Sequence, residues 1–376
     1  MRRTLVVTND FPPSRGDIES FVRTLVGMLP PDEVVVYTSS RPGGAAYDAT
    51  VPFPVLRDPA RTLLPTAKVT AGVLDAFRAY GCDRVLFGAA APMGMLAPAL
   101  RDAGAERLVG LTHRADCWWS RVPGTRQMLR RIGDTTDVLT YLGNSTRSVI
   151  APALSPAAAG RMQQLTPGVD TAAFRPGTGG SEIRRRYGIA PGDPVVVSVG
   201  ELTARAGQGT LIRSFRRVLA ELPSARLLVV GGGPEGSRLA GLAASMGVAE
   251  RVVLTGPVPR IETPSYFDAG HVFASMPRAG FGGLEPAPFG IEVLQAQAAA
   301  LPVVVGESGG VTELVRPGDT GYGVDPGDPG SLTRRLVELL RDRELASAMG
   351  RAGRSWVERT WTWDHVGARL NLLLDR

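Results

Sequence analysis

The segment FGGLEPAPFGIEVLQAQAAALPVVVGESGGVTELV, Phe281–Val315, holds the residue pattern with the clearest chemical meaning in this chain. Its second half reads as a buried strand over Leu301–Gly306, a tight Ser308-Gly309-Gly310 turn and a helix opening near Val311. Backbone N–H groups at such a turn, with the positive end of a helix dipole behind them, suit a diphosphate. A second glycine run, Gly231–Gly233 before Pro234, closes another apolar stretch, and His113 follows the apolar run Arg107–Leu111. A lone histidine at a strand end is first of all a loop-packing residue. The three histidines, His113, His271 and His365, are too scattered to propose a metal site, and Cys82 and Cys117 lack C-x-x-C spacing and read as free thiols.

Positioning such turns requires strand ends, and the chain supplies them in two series. Thr4–Thr8 is β-branched and apolar, the loop Asn9–Gly16 follows, and Asp17–Leu29 carries Ile18, Val22, Leu25 and Leu29 at helical spacing. Further strands are expected at Glu33–Tyr37, Arg84–Phe87, Arg107–Leu111 and Val138–Leu142. Thr166–Gly180 is a Pro/Gly linker without periodicity. Beyond it, strands are expected at Val195–Gly200, Leu227–Gly231, Arg251–Thr255, His271–Ala274 and Leu301–Gly306, with a helix over Gly209–Glu221. Such alternation predicts an α/β protein with two doubly wound parallel sheets. The divisions read from the sequence are 1–170, a linker at 171–180, 181–355 and a terminal segment at 356–376. Trp356, Trp361 and Trp363 lie in that segment and read as a packing surface.

Length and composition agree with two ordinary domains: 376 residues, 44% of them apolar, without a run of eighteen apolar residues. The start, MRRTLVVTND, turns polar too early for a signal peptide, so a cytoplasmic protein is expected. The formal charge of +6 is almost all arginine, since Lys68 is the single lysine. These arginines are scattered without aromatic interleaving, which argues against a nucleic-acid partner and leaves a membrane surface open but unsupported.

Seven segments, in order along nearly the whole chain, resemble one family: TNDFPPSRGDIESF, LTHRADCWWSRVPGTRQMLRRIGD, LTPGVDTAAFRPG, SVGELTARAGQGTLI, LLVVGGGPEG, VVLTGPVP and the Phe281–Val315 segment. They are similar to the actinobacterial phosphatidylinositol mannoside mannosyltransferases and other family-four retaining glycosyltransferases. The resemblance implies the GT-B fold, two Rossmann-like domains facing a central cleft. It also implies a nucleotide-diphosphate sugar donor, GDP- or UDP-linked, a small-molecule acceptor and no cofactor besides. By the same resemblance, His113 is the catalytic candidate. Gly16, Arg205, Gly232, Phe289, Gly290, Gln295, Ser308, Gly309 and Gly310 are the donor-binding candidates.

The chain departs from the family where side chains do the work. Two adjacent glycines in the first loop become Gly16-Asp17, and Asp17 has the alternative role of a helix cap. In the T-H-G-H-E motif Ala115 and Asp116 replace the second histidine and the glutamate. Glu201 stands at the phosphate-binding arginine and Ala206 at the lysine, removing roughly three units of positive charge from a site where charge stabilisation dominates. Arg205 lies beside the lost lysine. Of the two motif acids, the one expected at the hexose becomes Ala287, between Pro286 and Pro288, and the one expected at the ribose becomes Gln295, with Glu285 and Glu292 nearby.

Two main readings follow. One is a divergent transferase in specialised metabolism with an atypical acceptor, a thiol, a thione or a cation cradled by Asp17, Glu19, Asp116, Trp118, Trp119 and Glu201. The other is a pseudoenzyme that keeps the scaffold to bind a ligand or partner. A non-glycosyl coupling on the same scaffold is the third possibility.

Overall fold

The computed structural model describes residues 2–14, 16–280, 287 and 289–375. The chain divides into two compact units, Met1–Pro167 with Asp364–Arg376, and Gly168–Trp363.

In the first unit seven parallel strands form one sheet: β1 (Thr4–Thr8), β2 (Val34–Ser39), β3 (Val55–Asp58), β4 (Arg84–Phe87), β5 (Arg107–Gly110), β6 (Val138–Tyr141) and β7 (Gln163–Gln164), in the order β3-β2-β1-β4-β5-β6-β7. Val6 pairs with Val36 on one side and Leu86 on the other, so β1 is covered on both edges and both faces. That explains its continuous apolar sequence. The second unit has six parallel strands: β8 (Val195–Val199), β9 (Arg226–Val230), β10 (Val252–Leu254), β11 (Val272–Ser275), β12 (Val303–Gly306) and β13 (Gly321–Val324), in the order β10-β9-β8-β11-β12-β13. Alternate residues feed opposite faces. Val196, Leu227, Val272 and Val304 pack with Leu211, Phe215 and Leu336, whereas Val197, Leu228, Phe273 and Val305 pack with Phe267, Leu294 and Val311.

Two doubly wound sheets are therefore present, as the sequence predicts. The strands that sequence reading misses, β3, β7 and β13, are short or poor in β-formers: VLRD, QQ and GYGV. Gly321 sits in β13 because a Cβ there would overlap the Val303 carbonyl of the neighbouring strand. In each sheet the chain order reverses beside one central strand, between β1 and β4 and between β8 and β11. Parallel α/β sheets bind ligands at the carboxyl ends of the strands next to such a reversal.

The Pro/Gly linker is fixed in place as part of the second unit. The Asp268 carboxylate accepts the N–H groups of Gly177, Gly179 and Gly180 at 2.8, 3.1 and 2.7 Å. Val169 N–H donates to the Trp361 carbonyl at 2.8 Å. Trp356 is buried, edge-on to Trp361 at 5.8 Å, and Trp361 also faces Phe289. The last helix, Trp363–Asp375, then packs on the first unit: Arg107 donates to the Leu373 carbonyl at 2.8 Å and Arg84 to Asp375 at 2.8 Å. Among the described residues no helix is long and apolar enough to cross a membrane.

Candidate functional site

The predicted site residues fall into two groups, one on each unit, most of them in the loops and first helical turns that follow carboxyl ends of strands, with Trp118, Trp119 and Gln295 further along their helices. In the first unit, the loop after β1 leads through Gly16 into helix Asp17–Val26. Gly16 is the N-cap, and Asp17 is the first helical residue, so Asp17 complements the helix dipole from N1 and does not cap. Glu19, at N3, folds back over Gly16, so that any side chain at position 16 would collide with its carboxylate. Asp10 lies close to this acid, and burial followed by repulsion from Glu19 raises its pKa against the pull of Arg41. The surroundings of Gly16 are thus acidic.

His113 is 4% exposed and is the N-cap of helix Arg114–Trp119. Its Nε2 lies 2.7 Å from the Gly88 carbonyl oxygen, which can only accept, so Nε2 carries the proton. Burial lowers its pKa and outweighs the opposing effect of that hydrogen bond, keeping the ring neutral at physiological pH. Phe21 meets the imidazole edge-on at 6.4 Å. The ring therefore ties the ends of β4 and β5 together, the packing role open to a lone strand-end histidine. Asp116 is 2% exposed and accepts the His113 backbone N–H through Oδ2 at 2.7 Å. Buried in this way, Asp116 contributes to the helix start, while Ala115 is exposed and Trp118 is 54% exposed one turn further on. Trp119 is half-buried. Of the six residues proposed as an acceptor cradle, five belong to the first unit and Glu201 to the second.

In the second unit, four strand-end loops converge. After β8, Gly200 donates to the Val230 carbonyl at 3.0 Å and Leu202 to the Gly232 carbonyl at 2.8 Å, locking this loop to the one after β9. Gly231 and Gly233 have φ of +134° and +154°, and a Cβ on either would overlap the Gly200 or Leu202 carbonyl. Their glycine identity is thus fixed by backbone contact. Glu201 is exposed, and Ala206 presents only a methyl group at the former lysine position. Gly207 caps helix Gln208–Glu221 at φ +78°, pressed against the Met276 carbonyl after β11.

The Ser308-Gly309-Gly310 turn follows β12, but what opens there is a 3-10 segment, Gly309–Leu314, and not an α-helix near Val311. Six residues of 3-10 geometry leave only a short stack of aligned peptide dipoles. Ala287 is 6% exposed and packs its methyl against Gly309, so the turn is backed by a hydrocarbon where a carboxylate is expected. Gly290, φ +83°, caps helix Ile291–Ala298 and leaves room for Val311. Phe289 packs against Trp361, and Gln295 is half-buried on that helix. The Glu292 carboxylate lies beside Gly200. Glu285, Pro286 and Pro288, with the rest of 281–286, lie outside the described residues.

Two polar residues here are absent from the sequence-based set. The Arg278 N–H donates to the Arg205 carbonyl at 2.8 Å, and its Nη2 to Thr210 Oγ1 at 2.6 Å. The available signal was position: Arg278 lies three residues past β11, at the sheet's reversal point.

Comparison with known proteins agrees with this architecture. Residues 180–356 match the family Glycosyl transferases group 1. The chain is 41% identical to the GDP-mannose-dependent alpha-(1-6)-phosphatidylinositol monomannoside mannosyltransferase of Mycolicibacterium smegmatis, over 98% of this chain and 97% of that one. It is 37% identical to the corresponding enzyme for monoacylated phosphatidylinositol monomannoside of Corynebacterium glutamicum, over 99% and 98%. Among solved structures, Anabaena Alr3699/HepE in complex with UDP superimposes with a TM-score of 0.82 over 100% of both chains at 18% identity, a likeness of fold. With end-to-end identity of this size and two parallel Rossmann-like sheets, the chain belongs to the group 1 glycosyltransferases of the GT-B fold.

Proposed function

We propose that this protein transfers a hexose from a GDP- or UDP-linked donor to an acceptor unlike that of its relatives. The observation that carries the reading is likeness over 98% of the chain to an enzyme whose name specifies GDP-mannose. The glycine-dependent backbone around Gly200, Gly207, Gly231–Gly233 and Ser308–Gly310 supports a retained donor scaffold. In the transfer, the bond from the anomeric carbon to the diphosphate oxygen breaks with its electron pair leaving on the diphosphate. The acceptor atom bonds to that carbon, and its proton passes to the oxygen of the departing diphosphate. Glu201 and Ala206 withdraw positive charge from this step and Ala287 removes the motif carboxylate, so an acceptor that is strongly nucleophilic, or cationic and able to supply the charge missing at 201 and 206, fits the site best. Of the residues proposed to meet such an acceptor, Asp17, Glu19 and Trp118 are accessible on the first unit, and Glu201 is exposed on the second.

A second reading, a catalytically impaired pseudo-transferase, is favoured by Ala287. Its buried methyl leaves nothing ionisable at the acid position. Calorimetry with GDP, UDP, GDP-mannose and UDP-glucose, with mass spectrometry for released nucleotide, separates the two. Binding with turnover supports the transferase and rejects the pseudoenzyme; binding without turnover over a broad acceptor panel does the reverse. Absence of nucleotide binding removes the donor reading altogether. Glu201→Arg with Ala206→Lys adds a second test, since a retained donor site gains nucleotide-diphosphate affinity from the restored charge.

A further inference from the structure

A diphosphate carries negative charge that some cation must meet, and the two positions inherited for that purpose hold Glu201 and Ala206. The tertiary structure brings another cation to the same loop. Met276 and Gly207 are in such close backbone contact that no side chain fits at 207, which fixes the loop after β11 against the loop after β8. Two residues later the Arg278 N–H is hydrogen-bonded to the Arg205 carbonyl. Its guanidinium reaches across to Thr210, itself 5% exposed and in the first turn of helix Gln208–Glu221.

Arg278 is exposed, and its guanidinium stands at the positive end of a helix with, among the described residues, only a neutral hydroxyl as partner. The first turn of that 14-residue helix contains no acid. A cation at the positive end of a helix is repelled by the dipole, by roughly 0.3–1 kcal/mol at an exposed site. Among the described residues, the hydrogen bond of the Arg278 guanidinium goes to a neutral hydroxyl, and no carboxylate forms an ion pair with it. Thr210 holds the planar fork but does not neutralise it. An anion placed here would satisfy the guanidinium and the helix end together.

We infer that Arg278, oriented by Thr210, is the cationic contact for the donor diphosphate, taking over the charge that positions 201 and 206 no longer supply. The inference rests on the donor reading above. It places the compensating residue seventy-odd positions downstream of the loop it serves, where no motif comparison of that loop would find it. Arg278 is here a binding and positioning residue for the leaving diphosphate, and its effect is specific to the second phosphate.

The test is isothermal calorimetry of GDP and GMP, and of UDP and UMP, on the full chain. Wild-type protein should prefer diphosphate to monophosphate. Arg278→Gln should weaken diphosphate binding about tenfold or more, leave monophosphate binding within about twofold, and lessen the salt dependence of diphosphate affinity. Arg278→Lys should recover part of the loss, and Thr210→Val should show a smaller loss of the same selectivity with Arg278 still present. Melting temperatures close to wild type in Arg278→Lys and Thr210→Val keep the comparison valid if Arg278→Gln folds poorly. Unchanged diphosphate preference in the Arg278 variants overturns this inference alone. Failure of the wild-type protein to bind any of the four nucleotides overturns the donor reading and the inference with it.

Discussion

Replacing Asp116 by asparagine isolates the consequence of burying a carboxyl in the first turn of helix Arg114–Trp119. Asp116 is 2% exposed, Oδ2 accepts the His113 N–H at 2.7 Å, and Oδ1 has no partner among the described residues. Burial pushes its pKa from 3.8 up to about 7, against the downward pull of the His113 N–H. An acid whose folded pKa lies above its unfolded value holds more protons in the folded state between the two. Stability therefore falls as pH rises from about 4 to about 7, then levels off. A shift of this size corresponds to about 4 kcal/mol, a ceiling that local relaxation and water entry reduce. Asparagine keeps an oxygen for the His113 N–H and cannot ionise. Urea unfolding should show the variant gaining on wild type by roughly 1–3 kcal/mol between about pH 5 and about pH 8.5. Taking the difference between the two proteins cancels every other titrating group to first order. A difference that stays flat across this range, or grows toward acid, refutes the argument that burial dominates at Asp116.

Other outcomes follow from the backbone. Gly207→Ala should cost roughly 3 kcal/mol or more and lower soluble yield, because it combines a φ of +78° with overlap of the Met276 carbonyl; chemical denaturation reads the loss. Ala300, at φ +58°, is a non-glycine residue in left-handed backbone, so Ala300→Gly should raise unfolding stability by about 0.5–1 kcal/mol. Asp268→Ala removes the acceptor for three linker N–H groups and should cost about 2 kcal/mol, with amide exchange at Gly177, Gly179 and Gly180 speeding up first.

The family motifs and the apolar strand runs made the two sheets legible, since buried parallel strands must be continuously hydrophobic. Strands β3, β7 and β13 were not, because pairing with a neighbour and not their own composition holds them in the sheet. Asp17 was open between cap and diphosphate-facing acid on sequence grounds. Its exact place in the helix, N1 after a glycine cap, depends on where the first loop ends, which spacing alone does not set.

The candidate site divides along the same line. The sequence by itself determined which residue types are kept and which are lost: glycines at 207, 231–233 and 309–310 remain with Ser308 before them, and the inherited arginine, lysine and two acids do not. Those facts are local, one position at a time. Only the tertiary structure decided that His113 and Asp116 are buried partners at a helix start, that Ala287 backs the glycine turn, and that Arg278 reaches the first turn of a helix beginning seventy residues earlier. The physical reason is that burial, close backbone approach and the partner of a long side chain are properties of distances between segments. Parallel sheet topology sets those distances after the chain has already specified its strands.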